Sequence, residues 1–123
     1  MKALLLIGVV NGFLAVALGA FGAHGLEGRL SEKMLQTWEK AVQYQMFHTV
    51  AILIAGMMLL RFDSSMFASA GWTFLIGIIL FSGSLYIYSL STIKTFAMIT
   101  PIGGVAFLVG WVLLGIGVMK MVG

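Results

Sequence analysis

The 123-residue chain is 61% hydrophobic and only 9% charged, with a mean hydropathy of +1.10, whereas a soluble domain carries charge on about a quarter of its residues. That much apolar surface calls for lipid around it, and the length leaves room for one domain, spanned by segments of about 20 residues with short loops. The net charge of +3 comes from seven scattered basic residues, which excludes a basic nucleic-acid face. The absence of cysteine excludes disulfides, thiolate nucleophiles and thiolate metal sites.

The first apolar run, 3–23, follows Lys2 and is interrupted only by Asn11. Its length exceeds the 7–15 residues of a signal-peptide core, so it is expected to span. Gly8, Gly12, Ala15, Gly19 and Gly22 recur in it at spacings of 4, 3, 4 and 3, which lines them along one helix face. Asn11 is expected to hydrogen-bond to a neighbouring helix.

Between residues 24 and 40 lie Glu27, Arg29, Glu32, Lys33, Glu39 and Lys40, more than half of the charges. This stretch belongs at or outside the membrane surface. Ser31 is a candidate N-cap. After it Met34, Leu35, Trp38, Ala41 and Val42 alternate with polar residues at helical spacing, predicting an amphipathic helix over 31–43. Nothing separates it from the second apolar run, 41–60, so one long helix is expected, with Trp38 and Tyr44 at headgroup level. The stripe Met34, Trp38, Ala41, Gln45, His48 turns Gln45, His48 and Thr49 toward protein. Desolvated there, His48 favours its neutral form, donor and acceptor at once, bonded to Gln45, Tyr88, Ser84 or a backbone carbonyl.

The third run, 66–90, carries Ser84, Tyr88 and Ser91 on one face, expected to bond Gln45 or His48. The fourth, 96–122, opens with Thr100 and Pro101 in an early turn where proline sacrifices no helical bond. It continues with a stripe of Gly103, Ala106, Gly110 and Gly117. Runs of this length without strand alternation must be helices, because lipid offers the backbone no partner. The expected fold is therefore all-α: an integral membrane four-helix bundle, a single domain over 1–123, with an amphipathic extension before the second span. Lys2, Arg61 and Lys120 fall on one side and Arg29, Lys33, Lys40 and Lys94 on the other, leaning toward external termini.

Gly-Ala-Phe-Gly-Ala-His-Gly at 19–25, Trp38 with Ala41, Tyr44 and His48, Phe-Ser-Gly-Ser-Leu-Tyr at 81–86, and Pro-Ile-Gly-Gly at 101–104 followed by Gly110-Trp111 resemble, over the whole chain, domain-of-unknown-function family 423. This group is also called uncharacterised protein family 0382, and it is similar to a small four-span protein of animals. The resemblance implies a multi-pass protein of the plasma or inner membrane and carries no reaction, substrate or catalytic residue.

The candidate functional polar cluster is His24, Gln45, His48, Ser84 and Tyr88; the helix-packing candidates are Gly8, Gly12, Gly19, Gly22, Gly103 and Gly110. These residues point first to a non-enzymatic protein for packing, assembly or binding of membrane lipid or a partner, with a homo-oligomer as one form and no nucleic acid. An oligomeric channel or transporter with a polar cavity around His48 is the second reading. A membrane enzyme, in which His24, His48 and a loop glutamate converge, is the third. No catalytic residue, metal site or cofactor is assigned, since neither His-x-x-x-His nor His-Glu-x-x-His occurs.

Overall fold

A computed structural model describes residues 2–122. It is all helical: α1 (Lys2–His24), α2 (Glu32–Arg61), α3 (Ser65–Gly77), a π-helical turn (Ile78–Ser82), α4 (Gly83–Ser91) and α5 (Lys94–Val122). α3, the π turn and α4 form one continuous rod, so four helices are long and apolar enough to cross a membrane. The amphipathic extension and the second span are indeed one helix. Ser31, extended at φ −62° and ψ 159°, caps it by accepting from the Met34 N–H at 3.2 Å. Glu32 in its first turn and Arg61 in its last complement the helix dipole.

The loops are short. The first needs Gly28 at φ +79°, and Thr92 ends α4 at φ 59° so that α5 restarts at Lys94, earlier than the apolar run implies. Pro101 is a correction: it lies seven residues inside α5, so the Ala97 carbonyl loses its usual helical donor.

The helices pack in sequence order: α1 on α2, α2 on the α3–α4 rod, and the rod on α5. The bundle is thus an open one, in which the outer helices α1 and α5 bury less of themselves than the inner pair. Large apolar side chains such as Phe13, Met98 and Met119 stand three-quarters exposed, as lipid-facing residues do. Leu4, Ile52, Ala55, Phe67, Phe74 and Phe107 fill the main core.

In lipid, helix association rests on close packing and hydrogen bonds rather than on expelling water, so small residues matter most where backbones meet. The α1 glycines all face α2: a Cβ at Gly8 would meet Leu53, at Gly12 Thr49, at Gly19 Val42 and at Gly22 Trp38. Gly22 has the sharpest role. Its missing Cβ lets the Trp38 indole reach the α1 backbone, where Nε1 donates to the Leu18 carbonyl at 2.8 Å. Trp38 is buried in the bundle, edge-on to Tyr86 with centroids 4.6 Å apart.

Between the rod and α5, glycines receive phenylalanine rings. Phe107 fills the space over Gly77, while a Cβ at Gly110 would come within 2.7 Å of Phe74 and one at Gly117 within 2.8 Å of Phe67. Gly103 lies against the backbone of Leu80 and Phe81. The buried stripe of α5 is accordingly Gly103, Phe107, Gly110, Leu114, Gly117; Ala106, placed on it from sequence, is turned partly outward. Spacing alone could not distinguish the positions three and four residues beyond Gly103.

Candidate functional site

The stripe of α2 carries its polar residues into protein. Met34, Trp38, Ala41, Gln45 and His48 are all buried. His48 Nδ1 lies 2.9 Å from the Tyr44 carbonyl, one turn earlier, and Trp111 Nε1 of α5 lies 3.0 Å from His48 Nε2. A carbonyl can only accept and an indole N–H can only donate, so both bonds together require the neutral imidazole with its proton on Nδ1. The ring stacks on Phe107 at 3.6 Å between centroids and 10° between planes. Phe74, Phe47 and Trp111 stand around it at 5.6, 5.3 and 5.8 Å.

His48, Phe47, Phe107 and Trp111 of this cluster form the wall and floor of a groove of about 610 Å³ between α2 and α5, with Phe81 of the π turn behind it. Gln43, Tyr44, Gly104 and Leu108 complete its rim. Because α2 and α5 each pack along the rod and meet one another only through side chains around His48, the space between them is an open groove rather than an enclosed cavity. Gly104 widens it: a Cβ there would meet nothing nearer than Phe81 Cδ2 at 3.9 Å. With both His48 nitrogens engaged and one face of its ring covered by Phe107, the groove presents mainly apolar and aromatic surface.

The other candidate polar residues are divided among separate contacts. Gln45 bridges three spans, donating to Asn11 Oδ1 at 3.1 Å and accepting from the Tyr86 hydroxyl at 2.7 Å, while Asn11 Nδ2 donates to the Ile7 carbonyl. Ser84 bonds the Phe81 carbonyl and Thr100 Oγ1 at 2.6 Å, so it reaches α5 and neither Gln45 nor His48. Tyr88 is half-buried on another cleft, with Lys33 and Lys40. The expected partnership of Ser84 and Tyr88 with Gln45 or His48 is thus corrected. The π turn and the crossing of the rod over α2 bring Tyr86 to Gln45 instead, and Ser82 to the Ala41 carbonyl at 2.8 Å. Thr49, on the same α2 face, is buried with its hydroxyl unbonded.

His24 is exposed at the end of α1. Gly22 sits at the level of Trp38, and His48 is ten residues further along α2, about 15 Å deeper at 1.5 Å per residue. The two histidines do not converge. Among the described residues no three of His, Cys, Asp and Glu are grouped to hold a metal ion.

Trp111, Phe107, Tyr86 and Ser82 were not singled out as site residues from sequence. A tryptophan amid apolar α5 residues reads as lipid-facing, and only the approach of α5 to His48 gives its N–H a partner.

A family model described as "Protein of unknown function (DUF423)" matches residues 18–104. The chain is 46% identical, over all of both chains, to "UPF0382 membrane protein SERP0230" of Staphylococcus epidermidis. It is 49% identical, again over all of both chains, to "UPF0382 membrane protein SAB0533" of Staphylococcus aureus. With "UPF0382 membrane protein YwdK" of Bacillus subtilis it shares 43% over 98% of each chain. No solved structure matches.

Proposed function

The chain belongs to the DUF423 family of proteins of unknown function, and from its groove we propose that it is a non-enzymatic lipid-binding protein of the plasma or inner membrane, seating an acyl chain beside His48. The carrying observation is the mostly apolar, aromatic groove of about 610 Å³ in which both His48 nitrogens and the Trp111 N–H are already bonded to protein and only Gln43 and Tyr44 add free polar groups. Apolar walls of this kind, pre-formed and open, suit a hydrocarbon chain. Conduction is supported less, because Gln45, His48 and Ser84 bond across helices in separate pairs rather than facing a shared cavity. Assembly through the α1 glycines is also supported less, since α2 occupies that face.

A photoactivatable acyl-chain probe in vesicles tests the reading on the full chain. Cross-links are expected to concentrate on Phe47, Leu108 and Trp111, and Gly104→Leu, which fills the groove from its rim, should remove them. Labelling spread evenly over exposed positions such as Phe13, Ile79 and Met119, or unchanged by Gly104→Leu, refutes it.

A further inference from the structure

A second cleft lies above Gln43, on the same side of α2 as the groove. Along α2, Lys33, Thr37, Lys40, Tyr44 and Phe47 follow one another at spacings of 4, 3, 4 and 3, which puts them on one helix face. Phe81, Leu85 and Tyr88 do the same on the rod, which runs antiparallel beside it. The upper part of this crevice is that second cleft, of about 260 Å³ and lined by Lys33, Gln36, Thr37, Lys40, Leu85 and Tyr88. The lower part is the aromatic groove, which begins at Gln43 and Tyr44, three and four residues beyond Lys40.

Depth and charge agree along this crevice. Lys40 is the last charged residue before the apolar run of α2, so it marks the edge of the hydrocarbon. His48 lies eight residues further on, about 12 Å at 1.5 Å per residue, within the roughly 15 Å of a single leaflet. Two ammonium groups, an amide and a phenol line the cleft, and neither Glu32 nor Glu39 is among its lining residues. Cationic and hydroxyl donors without a competing carboxylate suit a phosphate oxyanion.

Resting on the groove reading above, we infer that crevice and groove together hold one anionic phospholipid. Its phosphate sits between Lys33, Lys40 and the Tyr88 hydroxyl, and one acyl chain descends past Tyr44 to His48 and Trp111. The occupant is a lipid rather than a free phosphate because the basic cleft lies on the same α2 face as the apolar groove, about one helical turn above it and within one leaflet. Anionic lipid attracts lysines near the surface strongly enough that each is expected to contribute about fivefold in binding.

Trp111 reports occupancy. It lines the groove, and replacing exposed Trp72 with Phe leaves only Trp38, which is buried, as a second emitter. The full chain carrying Trp72→Phe is reconstituted in phosphatidylcholine vesicles and titrated with phosphatidylglycerol or phosphatidylcholine brominated on the acyl chain. Phosphatidylglycerol should quench Trp111 at the lower mole fraction. Lys33→Gln and Lys40→Gln should each weaken that preference about fivefold, whereas Lys94→Gln, at the same end of the bundle but outside the cleft, should leave it intact. Equal quenching by the two lipids, an equal effect of Lys94→Gln, or relief of quenching by inorganic phosphate overturns the inference. Equal quenching that disappears in Gly104→Leu would overturn the headgroup assignment alone. Quenching by both lipids unchanged in Gly104→Leu would overturn the groove reading as well.

Discussion

Gly22→Ala adds one methyl group where a Cβ would lie 2.5 Å from both Cδ1 and Nε1 of Trp38. The indole has nowhere to retreat. It is 3% exposed, held at 2.8 Å to the Leu18 carbonyl and packed edge-on against Tyr86. Overpacking of this kind costs about 1–3 kcal/mol, and an indole N–H pushed off its carbonyl inside the bundle costs about 1–3 kcal/mol more. Alanine returns about 1 kcal/mol through helix propensity, leaving a net loss of about 1–5 kcal/mol. Gly12→Ala is the control on the same helix face. Its Cβ would meet only Thr49 Cγ2 at 3.7 Å, an ordinary contact, so the propensity gain of up to about 1 kcal/mol should survive. Sodium dodecyl sulfate titration of the full chain from dodecyl maltoside micelles, followed by far-ultraviolet circular dichroism, measures both. Gly22→Ala should unfold at a clearly lower detergent fraction than the parent, and Gly12→Ala at the same or a higher one. Trp38→Phe, itself destabilising, should reduce the cost of Gly22→Ala by making room for the methyl. Gly22→Ala unfolding together with Gly12→Ala would refute the argument that the indole is locked over Gly22.

Nitrogen chemical shifts of labelled His48 at neutral pH should report the neutral ring with its proton on Nδ1, and Trp111→Phe should perturb Nε2 while destabilising the fold by about 1–3 kcal/mol through the acceptor left unpaired. An imidazolium signal, or a proton on Nε2, would contradict the Tyr44 and Trp111 bonds. In α5, Gly103→Ala drives its Cβ into the Phe81 backbone, which cannot swing aside as a side chain can, whereas Gly115 has nothing within 4 Å of a built Cβ. Gly103→Ala should therefore lose folded yield and Gly115→Ala should keep or raise it; equal yields would show that α5 does not approach the rod as described.

Much of this architecture is legible in the residues themselves. Four apolar runs in a medium without hydrogen-bonding partners have to be helices, and Ser31 with the stripe from Met34 to His48 announces one long α2 turned toward protein. The α1 glycines at 4, 3, 4, 3 spacing announce a close approach, and α2 supplies it. These are properties of a single helix, and helical periodicity is local. What periodicity does not contain is which helix lies opposite, and at what height. Gln45 meets Tyr86 rather than Tyr88 because the π turn at Ile78–Ser82 and the crossing of the rod over α2 decide which residue arrives at its level. Trp111 meets His48, and Phe107 rather than Ala106 enters the bundle, because α5 rotates to seat phenylalanine rings over glycines on both helices. The groove itself belongs to no segment. It exists because α2 and α5 both lean on the rod and leave a gap between them, a relation among three helices that the tertiary packing alone decides.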